Sequence, residues 1–139
     1  MPGLRLINLF ACPAGLKVEG ADRRIAGPIY NLPEFQSRVG AGIVKLFFAT
    51  SDSDDDLIEL DWDLTNVRGL ISALNMRAYR NSQWCETTAR KWIPCDAYLL
   101  NFNEETNLRD SNCPTYYLKF GFLPNIDGTA AIVSVHRGY

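Results

Sequence analysis

The sequence predicts an α+β fold: a curved, mainly antiparallel sheet of about five to six strands, with one principal helix at residues 64–80 packed on one face. Three observations lead to this prediction. Runs rich in β-branched and aromatic residues begin at Ile43 and recur as far as His136. Only residues 64–80 have a long set of apolar side chains at helical spacing. Between residues 11 and 42, glycines and prolines interrupt every long period, so a second long helix is not expected there.

The 139 residues predict one globular domain, residues 1–139, because a chain of this length buries about two-thirds of its unfolded surface. The composition, 47% hydrophobic and 22% charged, is typical of a folded globular chain. The longest apolar run, residues 43–49, contains Lys45 and is too short for a bilayer span, so no membrane insertion is expected. A net charge of -2 provides no broad positive field, which argues against general nucleic-acid binding.

The cysteine pattern bears on the compartment. Cys12, Cys85, Cys95 and Cys113 form no C-x-x-C pair, so neither zinc binding through sulfur nor a redox motif of that type is expected. The amino-terminal residues match an export signal poorly, and we interpret Leu4–Phe10 as the first strand. We therefore predict reduced cysteines and a cytoplasmic protein.

The centre of the chain predicts a hairpin. Ile43–Thr50 is a β-type run, residues 51–56 are a polar loop, and Leu57–Asp63 alternates between apolar and acidic residues. The alternation assigns one face of the second strand to the core and the other to solvent. The apolar face would carry Ile58, Leu60 and Trp62, and the acidic face Glu59, Asp61 and Asp63.

Two segments are predicted to be helical. Leu32–Val39 is a short candidate, with Asn31 as its N-cap and a proline tolerated in the first turn. The principal helix, residues 64–80, has Asp63 or Thr65 as its cap. Its apolar stripe, which we expect to pack on the hairpin, consists of Leu64, Val67, Leu70, Ile71, Leu74 and Ala78.

The last third of the chain predicts three strands. Ala97–Phe102 is the first, and Pro94 should keep the segment before it at a sheet edge or outside the ladder. Thr115–Leu123 and Thr129–His136 form a second hairpin around a turn at residues 124–128. Alternation places four residues of the first hairpin strand on one face: Tyr116, Leu118, Phe120 and Phe122.

An acidic patch is the first candidate site. Its aspartates are Asp52, Asp54, Asp55 and Asp56. Their spacing matches the first half of an EF-hand loop, but Leu57 stands where that loop needs glycine, so calcium binding is disfavoured. A solvated loop is the simplest interpretation, and a negative patch that meets a basic partner is the functional alternative.

The outer side of the principal helix is the second candidate site. Arg80 is its one clear charge, whereas a solvated helix normally displays several. Either residues 82–92 cover this side, or a partner or a second copy binds there. The candidate interface residues are Gly69, Ala73, Met76, Tyr79 and Trp84.

Catalytic chemistry is disfavoured. His136 is the only histidine, and alternation groups it with Ala130, Ile132 and Ser134 without a third triad member. The trio Glu59, Asp61 and Asp63 has the spacing for coupled carboxylates, but an exposed strand face needs polar residues in any case. Cys85 and Cys95 flank the basic pair at residues 90–91, yet most free cysteines are small core residues, so we nominate no nucleophile.

These features predict a non-enzymatic binding module that acts on a protein partner or on itself, with a homodimer as the simplest form and no cofactor or metal. The alternative is an apolar-ligand protein or minor enzyme, with an aromatic-lined cavity between sheet and helix. Its lining would be Phe47, Phe48, Trp62, Tyr98, Phe102, Tyr116, Tyr117, Phe120 and Phe122. A weaker third possibility is nucleic-acid binding through Arg68, Arg77, Arg80, Arg90 and Lys91.

Overall fold

The structure, a computed structural model, describes residues 24–122 and 129–138. It confirms the α+β class, with helices packed on a mainly antiparallel open sheet. The described helices are α1 (Leu32–Gly40), α2 (Ser51–Leu60) and α3 (Leu64–Ala73), with a short 3-10 turn at Met76–Ala78. The described strands are β1 (Arg24–Ile25), β2 (Lys45–Phe48), β3 (Tyr79–Glu86), β4 (Trp92–Asn103), β5 (Leu108–Arg109), β6 (Thr115–Phe122) and β7 (Thr129–Arg137). The predicted strand Leu4–Phe10 and the predicted turn 124–128 lie outside the described residues.

The sheet has the strand order β1-β3-β4-β6-β7-β2, and β5 pairs with β4 beside this path. All described pairs are antiparallel except β2 with β7, which run parallel. The described strands number seven, and three of them, β1, β3 and β5, were not predicted: β1 and β5 have two residues each, and β3 depends on its pairing with β4.

One face of the sheet forms the main core. The predicted face of β6 is confirmed, since all four of its residues are buried. From α1, Phe35 stacks on Phe120 with ring centroids 4.1 Å apart, and the apolar residues of α3 join the same cluster. The principal helix therefore packs on one sheet face as predicted, and each large aliphatic side chain buried there stabilises the fold by about 1.5–3 kcal/mol.

The helix α1 begins where the sequence predicts. The Asn31 side chain accepts a hydrogen bond from the Glu34 backbone N–H at 3.0 Å. Pro33 occupies the first turn, where its missing N–H has no cost. Arg38 pairs with Glu34 one turn earlier, at 2.6 Å.

The predicted central hairpin is wrong, because residues 51–60 form the helix α2 in place of a loop and a strand. Thr50 caps this helix: its side chain accepts from the Ser53 N–H at 3.0 Å, and Ser53 reaches back to the Thr50 N–H. Helical spacing turns Ser53, Leu57 and Leu60 inward and leaves Ile58 exposed. Of the predicted apolar face, Leu60 and Trp62 therefore pack against the core and Ile58 does not. With no hairpin partner available, β2 pairs with β7 instead.

The principal helix is shorter than predicted, because α3 ends at Ala73. Its predicted cap is confirmed, since Asp63 accepts from the N–H groups of Thr65 and Asn66. At the other end, the Gln36 side chain donates to carbonyls of the last turn, at 2.9 Å to Ile71 and 2.8 Å to Leu74. Asn75 then caps the 3-10 turn through Ala78 N–H, and the chain enters β3.

The strand β4 is longer and more central than predicted, and Pro94 lies within it. Pro94 pairs with Trp84 of β3, but the ladder with β6 begins only at Cys95 opposite Gly121. Because no residue of β6 pairs with Pro94, the missing N–H of Pro94 leaves no acceptor on β6 without a donor. The preceding polar segment, predicted to be irregular, forms β3 because β4 supplies its hydrogen bonds.

A buried carboxylate ties the segment before α1 to the centre of the sheet. Asp96 on β4 accepts from the N–H groups of Ile29 and Tyr30 at 3.0 Å and from the Ser82 hydroxyl at 2.5 Å. Burial is the largest influence on this group and raises the pKa of Asp96. The Tyr30 hydroxyl adds a second tie by donating to the Pro94 carbonyl at 2.5 Å.

Candidate functional site

An arginine-lined groove of about 520 Å³ opens on the surface of the described residues. Its lining includes the β4 segment 99–101, Arg77 of the 3-10 turn that follows α3, and Arg80 at the start of β3. The lining also includes Arg109, brought there because β5 pairs with β4. We call this feature, with its three exposed arginines, the arginine groove.

The charges of the arginine groove are available to a ligand. Asp110 is the one acidic residue in its lining, and its carboxylate accepts from the Asn112 N–H at 3.0 Å. Within residues 24–122 and 129–138, none of the three arginines makes an ion pair. The groove thus presents uncompensated positive charge although the whole chain is slightly acidic.

Apolar side chains lie beside the arginines in the chain. Met76 precedes Arg77 and is 46% exposed, and Leu108 precedes Arg109 and is 63% exposed. Arginine and methionine are both enriched in protein interfaces. Exposed apolar side chains therefore neighbour the arginines along the chain, although Met76 and Leu108 do not line the arginine groove itself.

The predicted acidic patch lies on α2. Asp54 and Asp55 are exposed, and Asp52 lies in the first turn of the helix. Asp56 faces the sheet instead, where it accepts from the Val135 N–H at 3.1 Å. The exposed acids continue with Glu59, and Ile58 between them is 78% exposed. We call the exposed surface formed by Asp54, Asp55, Ile58 and Glu59 the acidic ridge.

The predicted interface residues do not share one helix face, since α3 ends before three of them. Gly69 is buried, and a Cβ at this position would overlap the side-chain amide of Asn107. Ala73 is also buried, whereas Tyr79 and Trp84 are half-buried on β3. The outer side of the helix is thus covered near Gly69 by the residues around β5 and not by residues 82–92.

His136 lies on the sheet face opposite to Ala130 and Ile132, with which alternation grouped it, and on the same face as Ser134. The register between β6 and β7 shifts at Val133, so that Lys119 pairs with Ser134 and Phe120 with Ile132. This bulge turns His136 away from Ile132 and stacks it on Tyr117, with centroids 4.9 Å apart. The predicted grouping with Ala130 and Ile132 is wrong because alternation does not detect the extra residue.

The predicted carboxylate trio is separated by the helical fold. Glu59 lies on α2, Asp61 ends that helix with φ 58°, and Asp63 caps α3. They share no strand face, so the coupling that the spacing suggested has no geometric basis. In the described part of the chain, no group of three or more His, Cys, Asp or Glu side chains is arranged to hold a metal ion.

The aromatic residues fill the space between sheet and helices. Trp62 stacks on Tyr116 at 4.9 Å, and its indole N–H donates to Glu104 at 2.7 Å. Tyr98 and Phe120 stack with centroids 6.1 Å apart. Six of the nine candidate lining residues are buried, namely Trp62, Tyr98, Phe102, Tyr116, Phe120 and Phe122. Ring-on-ring packing of this kind favours a filled core, and the apolar-ligand alternative stays a prediction.

Comparison with family models, curated proteins and solved structures finds no match for this chain. Among the described helices, none is long and apolar enough to cross a membrane.

Sequence reasoning missed the arginine groove as a site. Arg77 and Arg80 stood among the candidate nucleic-acid ligands, but Arg109 did not. Arg68 lies on α3, and Arg90 and Lys91 lie in the turn between β3 and β4, outside the groove lining. Only the pairing of β5 with β4 assembles the site, and no local signal in the sequence reports that pairing.

Proposed function

We propose that this protein is a non-enzymatic interaction module that self-associates, with the acidic ridge of one copy bound in the arginine groove of a second copy. The observation that supports it is the charge complementarity between these two surfaces of one chain. Each surface also carries accessible apolar side chains, Ile58 on the ridge and Met76 and Leu108 beside the groove. Such a pairing of charge with apolar contact fixes orientation and supplies affinity together.

The shapes of the two surfaces fit this contact. The acidic ridge is convex because it is the outer side of a ten-residue helix, α2. The arginine groove is concave and open. Carboxylates of a docked helix can form bidentate pairs with guanidinium groups, which are the stronger class of charged hydrogen bond.

The kind of assembly depends on whether the two copies make the contact reciprocally. If the ridge of each copy enters the groove of the other, the contact closes into a twofold dimer, the homodimer that the sequence analysis favoured. Exposed ion pairs contribute about 0.2–1 kcal/mol each, so we expect weak, reversible association that salt disrupts.

We also propose that the protein is cytoplasmic. The described cysteines, Cys85, Cys95 and Cys113, are all free thiols. Reduced thiols are the rule in that compartment.

A charge-swap experiment tests the contact. One variant reverses the groove with Arg77→Glu and Arg80→Glu, and the other reverses the ridge with Asp54→Lys and Asp55→Lys. Each variant alone brings like charges together in both contacts and should be monomeric by sedimentation velocity. An equimolar mixture restores opposite charges in both contacts and should sediment as a heterodimer.

A matched control keeps the test specific. Lys45→Glu with Arg68→Glu makes the same charge change at exposed positions outside the groove and should self-associate like the wild type. The wild type should dissociate as salt is raised. A wild type that stays monomeric at low salt and high concentration would overturn the proposal, as would a mixture of the two reversed variants that fails to associate.

A further inference from the structure

The sheet face opposite the main core brings two thiols together. Cys85 on β3 lies opposite Ile93, and Cys95 on β4 lies opposite Gln83, so the two cysteines are diagonal neighbours on paired strands. Both belong to a small cluster of buried residues that is separate from the main core. The strand register, and not the sequence spacing, creates this dithiol.

Lys119, on the neighbouring strand β6, lies near the two thiols. Lys119 on β6 pairs with Ala97, which makes it a diagonal neighbour of Cys95. The residue that pairs with Cys95 is Gly121, and a Cβ there would approach the Cys95 sulfur to 3.0 Å. The absence of a side chain at Gly121 therefore leaves room for the sulfur between β4 and β6.

The surroundings of Cys85 favour its charged form. The Gln83 amide N–H points to the Cys85 sulfur at 3.8 Å. Hydrogen bonding from Cys95, followed by the charge of Lys119, lowers the pKa of Cys85 to about 6 against the opposing effect of burial. Burial has the larger effect on Cys95 and raises its pKa, so Cys85 loses the first proton of the pair.

The other titratable groups on this face come from β6, β7 and α2, whose Asp56 carboxylate accepts from the Ser134 hydroxyl at 3.4 Å and, with Glu59, lines a cleft beside His136. Burial raises the pKa of Tyr117, so its phenol is neutral near pH 7. The Lys119 ammonium lies 5.7 Å from the centre of the Tyr117 ring. The His136 ring stacks on the same Tyr117 ring. The ammonium of Lys119 is therefore the positive charge that faces the thiols.

Cys85 is buried but keeps 8% of its surface exposed. Among the described strands, β1 covers β3 only at Ser82 and Gln83, two residues short of Cys85. A cleft of about 300 Å³ opens beside the same small cluster and is lined in part by Phe47 and Ala49.

We propose that Cys85 is a modification site: a nucleophilic thiolate, held by Cys95 and Lys119, that hydroperoxides oxidise to a sulfenic acid. The sulfur attacks the terminal peroxide oxygen, an S–O bond forms and the O–O bond breaks. The leaving alkoxide or hydroxide takes a proton from water. Sulfur is oxidised by two electrons and the peroxide is reduced by two.

The first experiment measures the thiolate by alkylation of the full chain with iodoacetamide across a pH series, with site-resolved mass spectrometry. The rate at Cys85 should rise with a midpoint near pH 6. Cys113 is an internal control in the same sample, since desolvation, followed by the Asp110 carboxylate, raises its pKa above the ordinary value. The midpoint is the informative quantity because the nucleophilicity of a thiolate falls as its pKa falls.

Two variants separate the proposed cause from mere exposure. Lys119→Met and Cys95→Ala should each move the Cys85 midpoint upward by about 0.5–1 pH unit or more. Lys91→Met removes an exposed lysine from the turn beside the cluster and should leave the midpoint unchanged. Ultraviolet absorbance of the thiolate gives the same titration without any reagent having to reach the sulfur.

The second experiment exposes the protein to hydrogen peroxide at pH 7 and traps sulfenic acid with dimedone. Trapping at Cys85 should exceed trapping at Cys113. At pH 7 the thiolate fraction of a thiol with a pKa near 6 is about 30 times that of an ordinary thiol. A Cys85 midpoint above about pH 8.5 would overturn the proposal. Trapping at Cys85 no faster than at Cys113 would overturn it as well.

Discussion

The two faces of the sheet are made by the same strands but differ in chemistry. The core face is aromatic: Phe35 of α1 lies on Phe120, and the rings of β4 and β6 pack on one another. The opposite face carries small apolar residues together with the two thiols, Lys119, Tyr117 and His136. The comparison teaches that stability and reactivity are divided between the faces of one sheet, and three substitutions test that division.

The largest effect should come from Phe120→Ala on the core face. Phe120 is fully buried and contacts Phe35, so its truncation leaves a cavity that the helices cannot close. We expect a loss of about 3–5 kcal/mol in the free energy of unfolding, measured by urea denaturation. The matched aromatic on the other face, Tyr117→Ala, should lose less because Tyr117 is only half-buried. Equal losses for the two variants would contradict the division between the faces.

The next effect concerns the buried carboxylate of Asp96 on the core face. Asp96→Ala leaves the N–H groups of Ile29 and Tyr30 without their acceptor, and the Ser82 hydroxyl keeps only its bond with the Tyr79 hydroxyl. An unsatisfied buried polar group costs about 1–3 kcal/mol, so we expect a loss of about 2–4 kcal/mol by thermal or urea unfolding. Asp55→Ala, at an exposed position of α2, is the control and should change stability little. A loss no larger than that of the control would show that Asp96 does not anchor this segment.

The smallest effect depends on pH and belongs to the thiol face. The folded-state pKa of Cys85 is lowered to about 6, from an ordinary value of 9.0, so ionisation of this thiol stabilises the folded protein. The contribution is complete above pH 9 and is lost as the pH falls towards 6. The stability of the wild type relative to Cys85→Ala should therefore rise by up to about 3 kcal/mol between pH 6 and 9. A difference that is flat across this range, in parallel urea titrations, would contradict the proposed thiolate.

Local patterns predicted the parts of the fold that local interactions determine. The cap of α1 at Asn31, the cap of α3 at Asp63 and the alternation along β6 all appear where the sequence indicated. Each depends on residues within a few positions of one another. Such signals are legible in a single sequence because no distant partner is needed to create them.

The errors arose where one pattern fits two structures or where a distant partner decides. The acidic and apolar residues of 51–60 suit a strand or a helix, and the capping box at Thr50 settles the matter in favour of α2. The polar residues of β3 form a strand because β4 lies beside them. The arginine groove and the dithiol depend on strand registers that no local signal encodes, so neither candidate site was predictable as an assembly.

The parallel pair of β2 and β7 has a consequence for the order of folding. The strands β3, β4, β6 and β7 join neighbours that are close along the chain, whereas β2 must find a partner from the far end of it. Closing so long a loop carries a high entropic cost, and contacts between distant segments slow the folding of small domains. We therefore expect the meander to assemble early and β2 to dock late, so that α2, which packs on both β7 and β2, completes its contacts only in the final step.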